Sequence, residues 1–294
     1  MRPIRSLLLY FVVVFVGGAL LAPWLFWLAQ WAAGVWPALS GLAGKPFHRF
    51  LDRSLLGLAL IFLWPLWQAC GAGGWRELGF SRHPAAPRQF LAGFALGWAS
   101  LASVALVAVA GGARAFVLTH SAAEIFGRLI SAGLAAIVVA LLEELVFRGA
   151  LFGCLRRGIP WPAAMFASSA VYAGVHFLKS GGSATPVHWD SGLVLLWDML
   201  RHPPPLIPGF FTLLVAGSIL ALYYQRSGAL YISIGLHAGW IFWLKFYGFL
   251  TRASSSSSTF WGGDNLIDGW FSCLVLAVLF VVIACHKRRF VVAR

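Results

Sequence analysis

Two adjacent acidic residues, Glu143 and Glu144, lie inside an otherwise apolar run, and Arg148 follows one helical turn later. Without these three side chains, the stretch 134–153 would be an ordinary membrane helix. An ionisable group at membrane depth costs several kcal/mol, so by default it marks a functional site that faces protein or water. The three charges therefore predict a polar site within the membrane, where a carboxylate can serve as a general base.

The composition identifies the environment of this site. The chain has 294 residues, of which 60% are hydrophobic and only 11% are charged. A soluble domain carries roughly 25% charged residues, so the composition excludes a soluble globular protein and predicts an all-α polytopic membrane protein. The net charge of +13 comes from Lys and Arg residues spread through short loops and both termini. Because no basic face is clustered, the lipid bilayer is the expected partner and nucleic acid is not.

The apolar runs predict about eight membrane-spanning helices, since one span needs about 20 residues. They cover roughly 6–33, 52–71, 89–111, 128–153, 161–178, 207–225, 228–250 and 266–285. Eight spans place both termini on one side of the membrane. Twelve Lys and Arg residues on that side against nine on the other favour cytoplasmic termini in a multi-pass protein of the cell membrane.

The longest connection, 179–207, contains a short apolar segment. Residues 192–199 are mostly apolar but too few to span the bilayer. They predict an interfacial or re-entrant segment, and a lid over a site is the alternative.

Two of the eight histidines, His176 and His237, lie well inside apolar spans. Counted from the nearest predicted cytoplasmic loop, Glu143, His176 and His237 lie 13, 15 and 11 residues into their helices. At 1.5 Å per residue these depths are about 20, 22 and 16 Å. Three ionisable residues on three helices therefore share one layer of the membrane, which predicts a single site.

Helical geometry gives the two glutamates different roles. Glu144 and Arg148 are four residues apart, so they share a face and can form an ion pair. Glu143 points about 100° away from Glu144, which leaves Glu143 available as a general base. The alternative is a structural clamp that holds both carboxylates.

Two further polar residues lie four positions before the two histidines. Tyr172 precedes His176 by four residues, and its role is packing, orienting the imidazole or contacting substrate. Ser233 precedes His237 by the same spacing.

These motifs resemble those of the CAAX-processing and bacteriocin-processing (CPBP, or Abi) family of intramembrane proteases, whose best-known members are the type II CAAX prenyl endopeptidases. The resemblance covers roughly residues 125–250, and its elements are Glu143-Glu144-x-x-x-Arg148, Tyr172-x-x-x-His176 and His237. It implies an eight-helix bundle with an intramembrane polar cavity. It also implies a protease core at 125–250, preceded by about three N-terminal membrane helices at 1–124. The C-terminal loop, last helix and basic tail follow at 251–294.

The resemblance also implies the roles of the site residues. Glu143 would be the base that activates a water, and His176 would assist it. His237 would help to bind the tetrahedral oxyanion, while Arg148 would hold Glu144 and the surrounding structure. The substrate would be a membrane-associated peptide or protein, and no cofactor would be needed.

One position departs from the family pattern. The family usually has Asn or Asp four residues after the last histidine, where it assists the oxyanion, and this chain has Ile241. Ile241 cannot donate a hydrogen bond, and losing one oxyanion donor typically costs about 10²–10³ in rate. Either another donor substitutes (Ser233, a backbone N–H or a water), or the enzyme is slow or inactive.

Three other functions remain open for the same residues. Glu143, His176 and His237 could bind a catalytic zinc ion with water as the fourth ligand, although the chain lacks a His-Glu-x-x-His motif. Buried carboxylates and histidines also form proton relays in transporters, but no inverted repeat is apparent. A non-catalytic membrane scaffold descended from a protease is the third alternative, and Ile241 is consistent with it.

Overall fold

The structure is a computed structural model, and it describes residues 2–71, 73–81, 84–117, 119–177, 186–201, 207–254, 259–263 and 265–286. The basic residues predicted to follow the last helix lie outside the described residues, as does part of the 179–207 connection.

The protein is an all-α polytopic membrane protein, as the composition predicts, and 79% of the described residues are helical. Five described helices are long and apolar enough to cross a membrane: Pro3–Val35, Phe47–Ala69, Ala86–Ala110, Ala122–Leu155 and Ile207–Ser227. The shorter apolar helix Trp270–Cys285 falls in the last predicted span. The helices Trp161–His176 and Tyr231–Leu250 fall in the other two, so each of the eight predicted spans contains a helix.

One compact unit comprises Met1–Ala72 and Val175–Pro205. Its helices, numbered in chain order for the whole protein, are α1 (Arg2–Val12), a π-helical segment (Val13–Gly17), α2 (Gly18–Val35), a 3₁₀ turn (Pro37–Leu39), α3 (Ser40–Ala43), α4 (Phe47–Ile61), α5 (Leu63–Ala69) and α10 (Ser191–Arg201). Apolar side chains of α2, α4 and α10 form its core, among them Ala22, Phe47, Leu51, Leu195 and Met199.

Helix α10 contains the short apolar segment predicted at 192–199. It has 11 residues, too few to span a bilayer. It packs closely on α2, because a Cβ added at Gly192 would lie 1.9 Å from the carbonyl oxygen of Ala19. The segment is therefore a short packed helix, and its interfacial or lid role stays a prediction.

The other compact unit comprises Gly73–Gly174 and Leu206–Arg294. Its elements are α6 (Ala86–Ala110), β1 (Arg114–Phe116), α7 (Ala122–Glu144), a π-helical segment (Leu145–Phe152), α8 (Gly153–Leu155), α9 (Trp161–His176, which enters the first unit at Val175), α11 (Ile207–Ser227), α12 (Tyr231–Leu250), β2 (Thr251–Ala253), a 3₁₀ turn (Leu266–Asp268) and α13 (Trp270–Cys285). Strands β1 and β2 pair antiparallel, with Arg114 opposite Ala253. The predicted division of the chain into the segments 1–124, 125–250 and 251–294 stays a prediction.

Helix α12 packs against α6 through glycines on both helices. A Cβ at Gly97 would lie 2.1 Å from the carbonyl oxygen of Leu236, and one at Gly235 would lie 2.0 Å from that of Phe90. Small residues let membrane helices approach this closely, and van der Waals packing then drives their association. The contact matters for the site because α12 carries His237.

A Gly97→Ala substitution is expected to destabilise the protein by about 1–3 kcal/mol, because the added methyl forces α6 and α12 apart. The measurement is unfolding in detergent micelles. Gly133→Ala is the matched control, since Gly133 also lies in a helix and a Cβ there would meet nothing within 4 Å. Equal stabilities of the two variants would contradict the packing described here.

An ion pair joins two loops outside the membrane spans of the second unit. Arg157 Nη2 donates to Glu77 Oε2 at 2.6 Å, and the two side chains are 31% and 47% exposed. The hydrogen bond from Arg157, and after it one from the Gly73 backbone, lowers the pKa of the Glu77 carboxyl below its usual value. Because the folded-state pKa is lowered, the pair's stabilisation is present above the unfolded-state pKa and is lost as the pH falls through the folded-state value.

An Arg157→Gln variant is therefore expected to be less stable than the native protein at pH 7 and equally stable at acidic pH. Solvent screening limits the difference at pH 7 to at most about 1 kcal/mol. Melting temperatures of both proteins across pH 3 to 7 measure it. A difference that grows as the pH falls would contradict the assignment.

Candidate active site

The first part of the site lies where helix α7 changes its geometry. The helix begins with a capping box, in which Ser121 and Glu124 bond each other's backbone N–H groups, and it ends at Glu144. The backbone then continues as a π-helical segment, Leu145–Phe152. Such wider turns are rare and occur frequently at functional sites. Glu143 and Glu144 are the last two α-helical residues, and Arg148 lies within the π-helical segment.

The predicted ion pair between Glu144 and Arg148 is present. Arg148 Nη1 donates to Glu144 Oε1 at 2.9 Å, and both side chains are almost fully buried. The guanidinium also donates to the backbone oxygen of Gly217 at 3.4 Å and lies 4.4 Å from the ring centroid of Tyr172. These contacts partly replace the water that a buried cation loses, which is the condition under which a buried pair is tolerated.

His237 lies on α12 and contacts both glutamates. Its Nδ1 is 2.8 Å from Glu144 Oε1, and its Nε2 is 3.6 Å from Glu143 Oε2. The helical-wheel prediction separated the two glutamates, whereas the structure brings both against one imidazole. The reason is that His237 approaches from another helix and presents a different ring nitrogen to each carboxylate.

The hydroxyl of Tyr172 also reaches His237. It lies 3.2 Å from Nε2, and Tyr172 is buried. An ionised Glu144 carboxylate, held by Arg148, can only accept, so Nδ1–H of His237 donates to it. In the neutral imidazole Nε2 is then the acceptor, and the Tyr172 O–H donates to Nε2.

The two glutamates differ in exposure. The Glu144 side chain is completely buried, while the Glu143 side chain is 25% exposed. The Glu143 side chain is therefore the more accessible of the two, although its Oε2 atom is itself buried. This difference supports the predicted division between a structural and a reactive carboxylate.

Three other residues that the sequence relates to the site lie on α9 and α12: His176, Ser233 and Ile241. His176 is the last residue of α9 and is half-buried. It belongs to the first compact unit, whereas Glu143 belongs to the second. Its predicted assistance to Glu143 therefore stays a prediction. Ser233 is fully buried, and its hydroxyl donates to the backbone oxygen of Leu220 at 3.0 Å. Ile241 packs among the apolar residues around Ala238.

The contact between Tyr172 and His237 was missed by the sequence reasoning. The spacing of four residues pairs Tyr172 with His176 on its own helix. The hydrogen bond to α12 joins residues 65 positions apart, and no periodic pattern encodes such a contact. The only signal for it is that both residues are polar and lie within apolar spans.

The described residues include no group of three or more His, Cys, Asp or Glu side chains arranged to hold a metal ion. In addition, both ring nitrogens of His237 already have hydrogen-bond partners, so a zinc ligand there would first have to lose one. The zinc alternative stays a prediction, and metal analysis of the pure protein tests it.

Residues 125–243 match the family described as type II CAAX prenyl endopeptidase Rce1-like. The match covers less than half of the chain, and it confirms the predicted resemblance over the stretch that contains Glu143, Tyr172 and His237. No curated protein and no solved structure matches the chain.

Proposed function

We propose that the protein is an intramembrane endopeptidase that cleaves a peptide bond near the cytoplasmic side of the membrane through a water activated by Glu143. One observation carries the proposal. A partly exposed carboxylate, Glu143, lies 3.6 Å from His237 Nε2 within an otherwise buried polar cluster. A general base beside a potential oxyanion donor is the arrangement that hydrolysis of a peptide bond needs.

The reaction requires no covalent intermediate. Glu143 takes a proton from water while the water oxygen bonds to the carbonyl carbon, and the carbonyl electron pair moves onto its oxygen. The His237 ring enters the reaction with both nitrogens protonated and keeps both protons throughout, and the oxyanion accepts a hydrogen bond from its Nε2–H. When the C–N bond breaks, the proton held by Glu143 passes to the leaving nitrogen, which restores the carboxylate.

Glu144 and Arg148 have a supporting role in this proposal. The Glu144 carboxylate accepts a hydrogen bond from Nδ1 of His237, which fixes the orientation of the ring. Arg148 in turn fixes Glu144. His176 is proposed to assist Glu143 in activating the water.

The substrate is proposed to be a membrane-associated peptide or protein, and the protein is proposed to need no metal. We place it in the cell membrane with both termini in the cytoplasm, because the Lys and Arg balance favours that orientation. The family description suggests a test substrate, a prenylated peptide that ends in a CAAX sequence, hereafter the CAAX reporter.

The experiment measures cleavage of the CAAX reporter by the purified protein in lipid vesicles. Native protein is expected to cleave it, and Glu143→Gln protein is expected not to. Cleavage is expected to continue when a chelator is added, and the pure protein is expected to contain no stoichiometric zinc. Cleavage that depends on zinc would favour the metal mechanism. Full activity of Glu143→Gln would refute the proposal.

Ile241 favours a second candidate, a non-catalytic scaffold, because it removes the donor that the family's enzymes use. A scaffold would keep its cellular function after Glu143→Gln, whereas the protease would lose it. Complementation of cells that lack the gene distinguishes the two.

A further inference from the structure

We propose that Tyr172 is the second oxyanion donor of this protein and takes the role for which Ile241 has no donor group. This inference rests on the proposed function. The spacing of four residues pairs Tyr172 with His176, but its hydroxyl lies 3.2 Å from Nε2 of His237. That nitrogen is the atom proposed to hold the oxyanion.

The geometry brings two groups to Nε2 of His237. Nε2 of His237 lies 3.6 Å from Glu143 Oε2, the proposed base, and 3.2 Å from the Tyr172 hydroxyl. A carbonyl whose oxygen is bound by Nε2–H therefore has the Tyr172 O–H beside that oxygen and the Glu143 carboxylate within reach of the attacking water. Preorganised donors of this kind stabilise the charge that develops in the transition state.

Protonation of His237 at Nε2 frees the Tyr172 hydroxyl to donate to another acceptor. In the neutral ring, Nε2 accepts the Tyr172 O–H. Once Nε2 carries a proton it no longer accepts, and both the Nε2–H and the O–H can point to the same oxyanion. Nδ1 lies 2.8 Å from the buried Glu144 carboxylate, which accepts its N–H, so Nε2 is the ring nitrogen that faces the hydroxyl and the oxyanion.

The one alternative side-chain donor named from the sequence is less suitable. The Ser233 hydroxyl is buried and already donates to the Leu220 carbonyl. The Tyr172 ring is also held firmly, because Arg148 lies over its face at 4.4 Å and Phe147 meets it edge-on at a centroid distance of 5.1 Å.

The test uses the CAAX reporter and a single-atom change. Tyr172→Phe keeps the ring and its packing but removes the hydroxyl, so it is expected to lower kcat by about 10²–10³-fold with little change in KM. Tyr224→Phe is the matched control. Tyr224 is also fully buried, and its hydroxyl donates to the Glu77 carbonyl at 3.1 Å, away from the site.

A second substitution at position 241 distinguishes a hydrogen-bond donor role of Tyr172 from a purely structural role. Adding Ile241→Asn to Tyr172→Phe is expected to restore kcat at least tenfold, because an amide donor returns to the position that the family uses. A merely structural tyrosine would give variants with lowered melting temperatures and no rescue.

The inference is overturned if Tyr172→Phe keeps native kcat or if the double variant recovers nothing. Glu143→Gln is assayed alongside. Activity in Glu143→Gln refutes the proposed function itself, whereas an inactive Glu143→Gln with a fully active Tyr172→Phe refutes only the role of Tyr172.

An independent observation concerns the first compact unit, where a basic pocket lies at the N-terminal end of the membrane span Phe47–Ala69. The pocket has a volume of about 470 Å³, and four of its seven lining residues are basic: Lys45, His48, Arg49 and Arg53. We infer that this basic pocket binds the phosphate group of an anionic lipid.

The second inference rests on the positive charge of the basic pocket and on its position at the end of a membrane span. Arg49 and Arg53 are four residues apart on α4 and so share a face, although like charges at this spacing repel, and Lys45 lies just before the helix begins. Asp52 lies among them and offsets one of the three charges. The first N–H groups of α4 add positive potential at the same end, where a span meets the lipid head groups.

The test titrates the purified full-length protein in detergent with phosphatidylglycerol, phosphatidylcholine or inorganic phosphate and measures binding by native mass spectrometry. Arg49→Gln/Arg53→Gln is expected to raise the Kd for phosphatidylglycerol by about fivefold for each arginine removed. The control pair, Arg128→Gln/Arg252→Gln, removes two exposed arginines elsewhere and is expected to leave that Kd unchanged.

The arms of the titration identify the source of the phosphate. Binding of phosphatidylglycerol alone indicates a lipid site, and displacement by inorganic phosphate indicates that free phosphate is held as well. Equal Kd values for phosphatidylglycerol and phosphatidylcholine, or no difference between the two variant pairs, would refute the inference.

Discussion

Glu143→Gln is expected to lower kcat for the CAAX reporter by about 10²–10⁴-fold, the range that a general base contributes. The amide is nearly the same size as the carboxylate but cannot take a proton from water. Because Glu143 is 25% exposed and its ion-pair contact with His237 is long, at 3.6 Å, its loss should cost little stability. The variant is therefore expected to fold normally and to lack activity.

The control for this prediction is Glu124→Gln. Glu124 lies at the first turn of the same helix, where it forms the capping box, and glutamine can fill that role too. Reporter cleavage and melting temperature are measured on both variants. If Glu143→Gln and Glu124→Gln cleave equally well, Glu143 is not the base.

Arg148→Met is expected to destabilise the protein by about 3–5 kcal/mol, because it leaves the Glu144 carboxylate buried without its cation. Glu144 is completely inaccessible to solvent and cannot recover hydration by a small movement. Activity should fall as well, since Glu144 also orients His237 through Nδ1. Unfolding in detergent micelles measures the stability.

Two comparisons test the reason for this loss. The double variant Arg148→Met/Glu144→Gln removes both charges and is expected to be more stable than Arg148→Met alone. Arg157→Met breaks the exposed pair with Glu77 and is expected to cost at most about 1 kcal/mol. A double variant that is less stable than Arg148→Met would show that the buried charge is not the cause.

Much of the helical architecture could be predicted from the sequence, because a membrane span needs a long apolar run and every such run is visible. The Glu144–Arg148 pair was also predictable, since four residues on one helix determine a shared face. The short helix α10 was recognisable as too short to span, but its packing on α2 depends on Gly192 meeting the backbone at Ala19.

Contacts between helices could not be predicted in the same way. Whether Tyr172 points to His176 or to His237 depends on how α9 and α12 are rotated against each other, and rotation is set by packing rather than by periodicity. The π-helical segment after Glu144 has no pattern in the sequence either, yet it determines where Arg148 lies. Matching depth on separate helices was the one long-range signal, and it correctly related Glu143 to His237.

The central claim is that Glu143 performs chemistry on a protein substrate in the membrane. The most direct test compares the membrane proteomes of cells that lack the gene, complemented with native protein, with Glu143→Gln protein or with neither. We expect one set of proteins to stay uncut both without the gene and with Glu143→Gln, and to be cut with native protein. Restoration of cleavage by Glu143→Gln would contradict the account.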